Sequence, residues 1–155
     1  MFREMRLKEN ELSHDEAKEI LMNNSNGVLA LSGDNGYSYA VPVSFAYSDN
    51  KIYFHGATEG HKPDSIKRND KVSFCVIEKD EVIAAEFNTH YRSAIAFGVV
   101  RILESDEERL NALRVILEKY SPDFIETGKK YIENEWNNVA VFEINIEHLT
   151  AKQGL

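Results

Sequence analysis

The stretch Tyr37-Ser38-Tyr39-Ala40-Val41-Pro42-Val43-Ser44-Phe45-Ala46-Tyr47 alternates without a break between large and small side chains. Strand side chains point to opposite faces with period two. Tyr37, Tyr39, Val41, Val43, Phe45 and Tyr47 therefore share one face of a long strand, and Ser38, Ala40, Pro42, Ser44 and Ala46 share the other. Ser48-Asp49-Asn50 follows as a turn and Lys51 to His55 as a second strand, so the two are expected to form an antiparallel hairpin.

Upstream, Ser13-His14-Asp15-Glu16 is a capping box with Leu12 and Ala17 at hydrophobic-staple positions, and it predicts a helix with Ala17, Ile20 and Leu21 on its apolar face. A short strand, Val28 to Leu31, and a turn cluster at 32–36 lie between that helix and the long strand. Downstream, 59–64 reads as a loop entering a short helix, with Pro63 suited to its first turn. Lys71 to Ile77 and Glu81 to Phe87 read as two strands. Ser93 to Leu103 is a further long one, with Ile95, Phe97, Val99 and Leu103 opposite Ala94, Ala96 and Gly98. Ser105-Asp106-Glu107-Glu108 opens a helix carrying Leu110, Leu113, Leu117 and Tyr120. A short helix is expected over Thr127 to Trp136 and a closing strand over Val139 to Ile146. The expectation is an α+β protein: one domain over 1–155, an antiparallel β-barrel of six or seven strands with flanking helices.

Composition narrows the function. With 43% hydrophobic residues the chain can bury a core, and a net charge of -8 opposes nucleic acid and anionic membrane over the surface as a whole. A small anionic ligand needs only a local positive pocket. Cys75 is the one cysteine, which excludes an internal disulfide and multi-cysteine metal sites. No window of roughly 18 uninterrupted apolar residues is present, and the first residues lack the apolar core of a signal peptide, so a cytoplasmic protein is expected.

Two features point to chemistry. The strands with one small face would let a flat, wide group approach the backbone, and Pro42 belongs at an edge, a bulge or a ligand site because it donates no ladder hydrogen bond. Equally, small residues permit tight packing in a small barrel or between subunits. The second feature is Phe54-His55-Gly56-Ala57-Thr58-Glu59-Gly60-His61-Lys62. Free N–H groups at a helix start, with the Lys62 ammonium and the Thr58 hydroxyl, attract a phosphate, although such glycine-containing turns also occur as plain connections. His55, His61 and His90 lack the spacing and acidic or cysteine company of a metal site and read as surface or hydrogen-bonded histidines. Cys75 reads as a packing group; Trp136 reads as core or as a side chain reaching a partner.

In order along the chain, Arg3-Glu4-Met5-Arg6, Ala40-Val41-Pro42-Val43-Ser44-Phe45, Ile52-Tyr53-Phe54-His55-Gly56-Ala57, Gly60-His61-Lys62, Tyr91-Arg92-Ser93-Ala94-Ile95-Ala96-Phe97-Gly98 and Glu147-His148-Leu149-Thr150-Ala151-Lys152 carry a resemblance. The sequence resembles the pyridoxamine-phosphate-oxidase-like FMN-binding split barrels, and within them the nitroimidazole-resistance type reductases. The resemblance implies a homodimer with two FMN sites at the subunit interface. It implies that Val41, Pro42, Val43 and Ser44 run beside the flavin ring and that His55, Gly56 and Ala57 lie near the ribityl chain and ring. His61 and Lys62 would hold the phosphate, and Arg92 with Ser93 would contribute from a neighbouring strand. The arginine-rich pocket and C-terminal motif of true pyridoxamine-phosphate oxidases are not evident, which argues against vitamin B6 oxidation. What the resemblance leaves is an FMN-dependent oxidoreductase that reduces a small aromatic or nitro compound through flavin N5. His55 is then a proton donor or acceptor, or a hydrogen-bond partner of the cofactor only. The alternatives are a haem-binding or haem-degrading barrel with a histidine ligand, a non-catalytic flavin module, and use of a deazaflavin.

Overall fold

The structure, a computed structural model, describes residues 1–155. Helix α1, His14–Asn23, begins as expected: the Ser13 hydroxyl accepts from the Glu16 amide while the Glu16 carboxylate accepts from the Ser13 amide. Seven strands follow, interrupted by three more helices: β1 Asn26–Ser32, β2 Ser38–Ser44, β3 Ala46–Ser48, β4 Lys51–Gly56, α2 His61–Arg68, β5 Lys71–Ile83, β6 Asn88–Ile102, α3 Asp106–Tyr120, α4 Ile125–Glu135 and β7 Ala140–Gly154. The strands form one antiparallel sheet in the order β2-β1-β5-β6-β7-β4-β3. No helix is long and apolar enough to cross a membrane.

The strand order corrects the reading of 37–47 as one strand. The alternation holds through β2, where Tyr39, Val41 and Val43 are half-buried against the core while Ala40, Pro42 and Ser44 are exposed. At Phe45 the chain leaves the ladder, and β3 resumes at the opposite edge of the sheet. Two edges separated by a single residue must approach each other, so the sheet curls into a split barrel. The expected hairpin survives only as Ala46–Ser48 against 51–53, closed by Asp49 and Asn50, both at positive φ (49° and 62°) as a type I′ turn requires.

Phe45 itself is fully buried and packs edge-on against Phe74. Its backbone is held by the last turn of α3: the Lys119 ammonium donates to the Phe45 and Asn24 carbonyls (3.0 and 2.5 Å), and the Phe45 amide donates to the Tyr120 hydroxyl (3.0 Å). The Tyr120 hydroxyl is also within donor reach of the Ser25 and Phe45 carbonyls.

Two other expectations change. Lys71 to Ile77 and Glu81 to Phe87 are not separate strands. The charged run Glu78-Lys79-Asp80 stays in the sheet across a register shift, and β5 continues to Ile83, paired along its length with β6. The small face of β6 does not open outward. Ala94, Ala96 and Gly98 are buried, and Ile95 and Phe97 point out. Here the small residues serve close packing: a Cβ on Gly98 would collide with the Asn145 carbonyl oxygen of β7, at the β6–β7 register shift between Phe97 and Gly98. Gly98→Ala is expected to destabilise the protein by about 1–3 kcal/mol, because a backbone atom cannot yield as a side chain can. Urea unfolding would register this as a lower midpoint with an unchanged slope.

Candidate functional site

The end of β4, the loop after it and the start of α2 form a corner that meets β2 at Tyr39. Gly56 ends β4, and Lys62 folds back over it, its Cε and Nζ 3.6 and 3.9 Å from the point where a Gly56 Cβ would stand. Gly60 caps α2 at φ 132°, with open space around its Cβ position; side chains rarely adopt this conformation, which lets the loop turn sharply into the helix. The first amides of α2 have no intrahelical acceptor and carry the positive end of the helix dipole.

His61 ties this corner to β2. Its ring stacks on Tyr39 (centroids 3.9 Å apart, planes at 20°). Its buried Nε2 has no hydrogen-bond partner; the nearest carboxylate oxygen, on Asp34, stands at 3.9 Å and is already paired through Asp34 Oδ1 with Arg68 at 2.8 Å. The corner thus combines a cation, free amides and a buried ring nitrogen lacking a partner. Those donors fit a phosphate monoester. Beside it, β2 pairs with β1 alone, so its far edge presents unpaired backbone groups to anything seated there.

His55 lies on the other side of the same strand end. Its side chain is exposed at the mouth of a cavity of about 650 Å³ that Ser44 also borders and that α3 and α4 wall. Partial burial of the ring lowers its pKa from the ordinary 6.5, so it is neutral at pH 7 and offers one donor and one acceptor. This cavity was not anticipated from the sequence. The only signal available was the mixed apolar and polar patterning of 121–139.

The structure sets Lys62 against Gly56, stacks His61 on Tyr39 of the strand that carries Val41, Pro42, Val43 and Ser44, and places Ser44 and His55 on one cavity. Arg92 and Ser93 are not part of this arrangement within one chain. On β7, His55 pairs with Val141 and Arg92 with Gln153, at opposite ends of the strand. Arg92 is moreover occupied: its Nε donates to Glu78 (2.6 Å) and its Nη1 to Gln153 (2.9 Å). The three histidines are likewise scattered, with His90 bonded to Glu86, and no group of three or more His, Cys, Asp or Glu side chains is close enough to hold a metal ion. Burial pushes the Cys75 thiol up, away from the reactive thiolate. Trp136 follows α4 and lies under the Arg109 guanidinium, 4.2 Å from its ring centroid.

Fold and site together define a split β-barrel of the α+β class with an anion-suited corner beside a free sheet edge. The chain belongs to the pyridoxamine 5′-phosphate oxidase family, whose model matches residues 13–153. A comparison with the curated proteins finds no match. Among solved structures, the chain is similar to a candidate 5-nitroimidazole antibiotic resistance protein from Bacteroides thetaiotaomicron (22% identity over 92% of this chain and 86% of that one, TM-score 0.75). It is also similar to a flavocytochrome from Azotobacter vinelandii (18%, 99% and 73%, TM-score 0.85) and to an FAD-binding protein from Mesorhizobium loti (24%, 94% and 97%, TM-score 0.67). At these identities the likeness shows the fold.

The lowered pKa of His55 has a testable sign. The folded chain holds this proton less tightly than the unfolded chain, so its contribution costs stability as pH falls through 6.5 toward the folded value. The His55 ring resonances are expected to titrate below 6.5. Unfolding measured across that window should show a shallower loss of stability on acidification in His55→Gln.

Proposed function

We propose that the chain is a cytoplasmic FMN-dependent oxidoreductase that works as a homodimer and reduces a small aromatic or nitro compound. The observation that carries the cofactor is the corner at Gly56, Gly60, His61 and Lys62, where a cation, helix-start amides and an unpartnered buried imidazole nitrogen converge. Family membership and the flavin-binding descriptions of similar structures agree with it. Lys62, with His61 and the α2 amides, would hold the phosphate. The free edge of β2 along Val41, Pro42, Val43 and Ser44 would receive the ring. Gly56 and Ala57 would border the ribityl chain. When bound, FMN supplies electron transfer through N5. His55 would hydrogen-bond at the ring edge or move a proton there; being neutral, it can do either.

The dimer is supported by the outer face of the sheet. Val28, Ile77 and Phe97 stand 37%, 60% and 37% exposed there, and Pro42 and Ile95 extend the same apolar surface. A second copy on this face would also account for Arg92 and Ser93, which can reach a cofactor only across a subunit boundary. Light scattering is expected to give twice the chain mass, and a monomeric mass at micromolar concentration would remove the shared site.

Purified or FMN-reconstituted protein is expected to show flavin absorbance. Lys62→Met should weaken FMN binding by about 10- to 100-fold, the worth of one hydrogen bond to a charged group. A protein that stays colourless with FMN sinks this reading. The same spectra test the second reading, haem held by His55, which the apolar cavity at that residue and the similarity to a flavocytochrome favour. That reading requires a Soret band on haemin addition that disappears in His55→Ala.

A further inference from the structure

We propose that the cavity walled by α3 and α4 is a binding site for a small, flat aromatic molecule that carries no negative charge. At about 650 Å³ it has the size of a small-molecule pocket. Its inner wall is aliphatic, from Leu113, Ile116, Leu117 and Ile132. At its rim Phe124 and Tyr131 stand 65% and 68% exposed, two large rings left in water on one opening. Such rings are suited to stack on a planar guest.

The cavity is not a gap within ordinary core packing. α4 has no fully buried residue, so it serves as a wall rather than as a core helix. Its distance from α3 is set at Gly128, where a Cβ would collide with Leu117. Beyond that contact the space between the helices stays open to Ser44 and His55.

Charge decides which guests are accepted. No lysine or arginine borders the cavity, and its one charged side chain is the Glu135 carboxylate. An anionic guest would lose its hydration without gaining a cation and would face a like charge, whereas neutral or cationic guests escape that penalty. The neutral His55 ring leaves a hydrogen-bond donor and acceptor at the Ser44 end of the cavity, enough to orient a nitro, carbonyl or hydroxyl group. Ser44 and His55 border both this cavity and the proposed flavin position. Calling the guest an electron acceptor therefore rests on the flavin reading, but the cavity and its charge preference do not.

Trp136, the single tryptophan, directly follows Glu135 and reports on the cavity without any cofactor. Flavin-free protein would be titrated with 4-nitrobenzyl alcohol and with 4-nitrobenzoate, a neutral and an anionic nitrobenzene of similar size. Trp136 quenching is corrected against free tryptophan amide, and folding of each variant is checked by circular dichroism. Saturable quenching is expected from the alcohol, with the carboxylate weaker by more than about tenfold. Thr127→Phe, which fills the rim, should abolish saturation. Glu135→Lys should reverse the preference toward the carboxylate. Equal binding of both probes, no saturation by either, or an unchanged preference in Glu135→Lys overturns the proposal. Saturation by haemin alone overturns it too. FMN binding, read separately by flavin absorbance, keeps the two readings distinguishable: a protein that takes the alcohol but not FMN retains the cavity and loses the flavin.

Discussion

The crossing at Phe45 is the constraint on which the rest of the molecule depends. One residue carries the chain from one edge of a seven-stranded sheet to the other; its amide keeps only one backbone bond, a long 3.3 Å to the Ser25 carbonyl beyond the end of β1, and its carbonyl lies outside the named ladders. Buried backbone groups without partners are costly, and here the last turn of α3 supplies them. Lys119 donates to the Asn24 and Phe45 carbonyls, and the Tyr120 hydroxyl meets the Phe45 amide. Lys119 does this with its amine partly buried over the Phe45 ring, 4.2 Å from its centroid, and burial lowers its pKa. Carbonyl oxygens and a ring face replace the water that it gives up.

Once this joint is closed, the functional region follows from it. The curl that brings β2 toward β3 also brings Ser44 beside His55, although neither strand pairs with the other. Tyr120 has a second position in the design: the same side chain that fixes the crossing borders the α3–α4 cavity. Closure of the barrel and the shape of the pocket are thus coupled through one helix end. On the opposite side, the stacking of His61 on Tyr39 sets the start of α2 against β2. The candidate site is consequently a seam between three elements, not a loop set on a finished scaffold.

Much of this was legible in the chain because it is local. The Ser13 capping box, the alternation of β2, the entry into α2 near Pro63 and the helix opened by Ser105 each depend on neighbours within a few residues. Where the structure departs from the local pattern, long-range pairing is the cause. Alternation continues from Ser44 through Tyr47, so nothing in the pattern marks Phe45 as the point where a strand changes edges. Glu78-Lys79-Asp80 has the composition of a turn, yet a long partner strand keeps it extended. Ala94, Ala96 and Gly98 have the small face of a ligand platform, yet they face inward because β7 and the core press on that side.

The sequence by itself determined the α+β class, the antiparallel pairing and the family, since short-range periodicity, capping and ordered motifs carry that information. Only the tertiary structure decided which face of each strand is inside, that His55 and Arg92 pair with opposite ends of β7, and that α3 and α4 enclose a cavity at Ser44 and His55. Those properties arise from the curl of the sheet and the seating of helices far apart in sequence. No local pattern encodes the distance between two sheet edges.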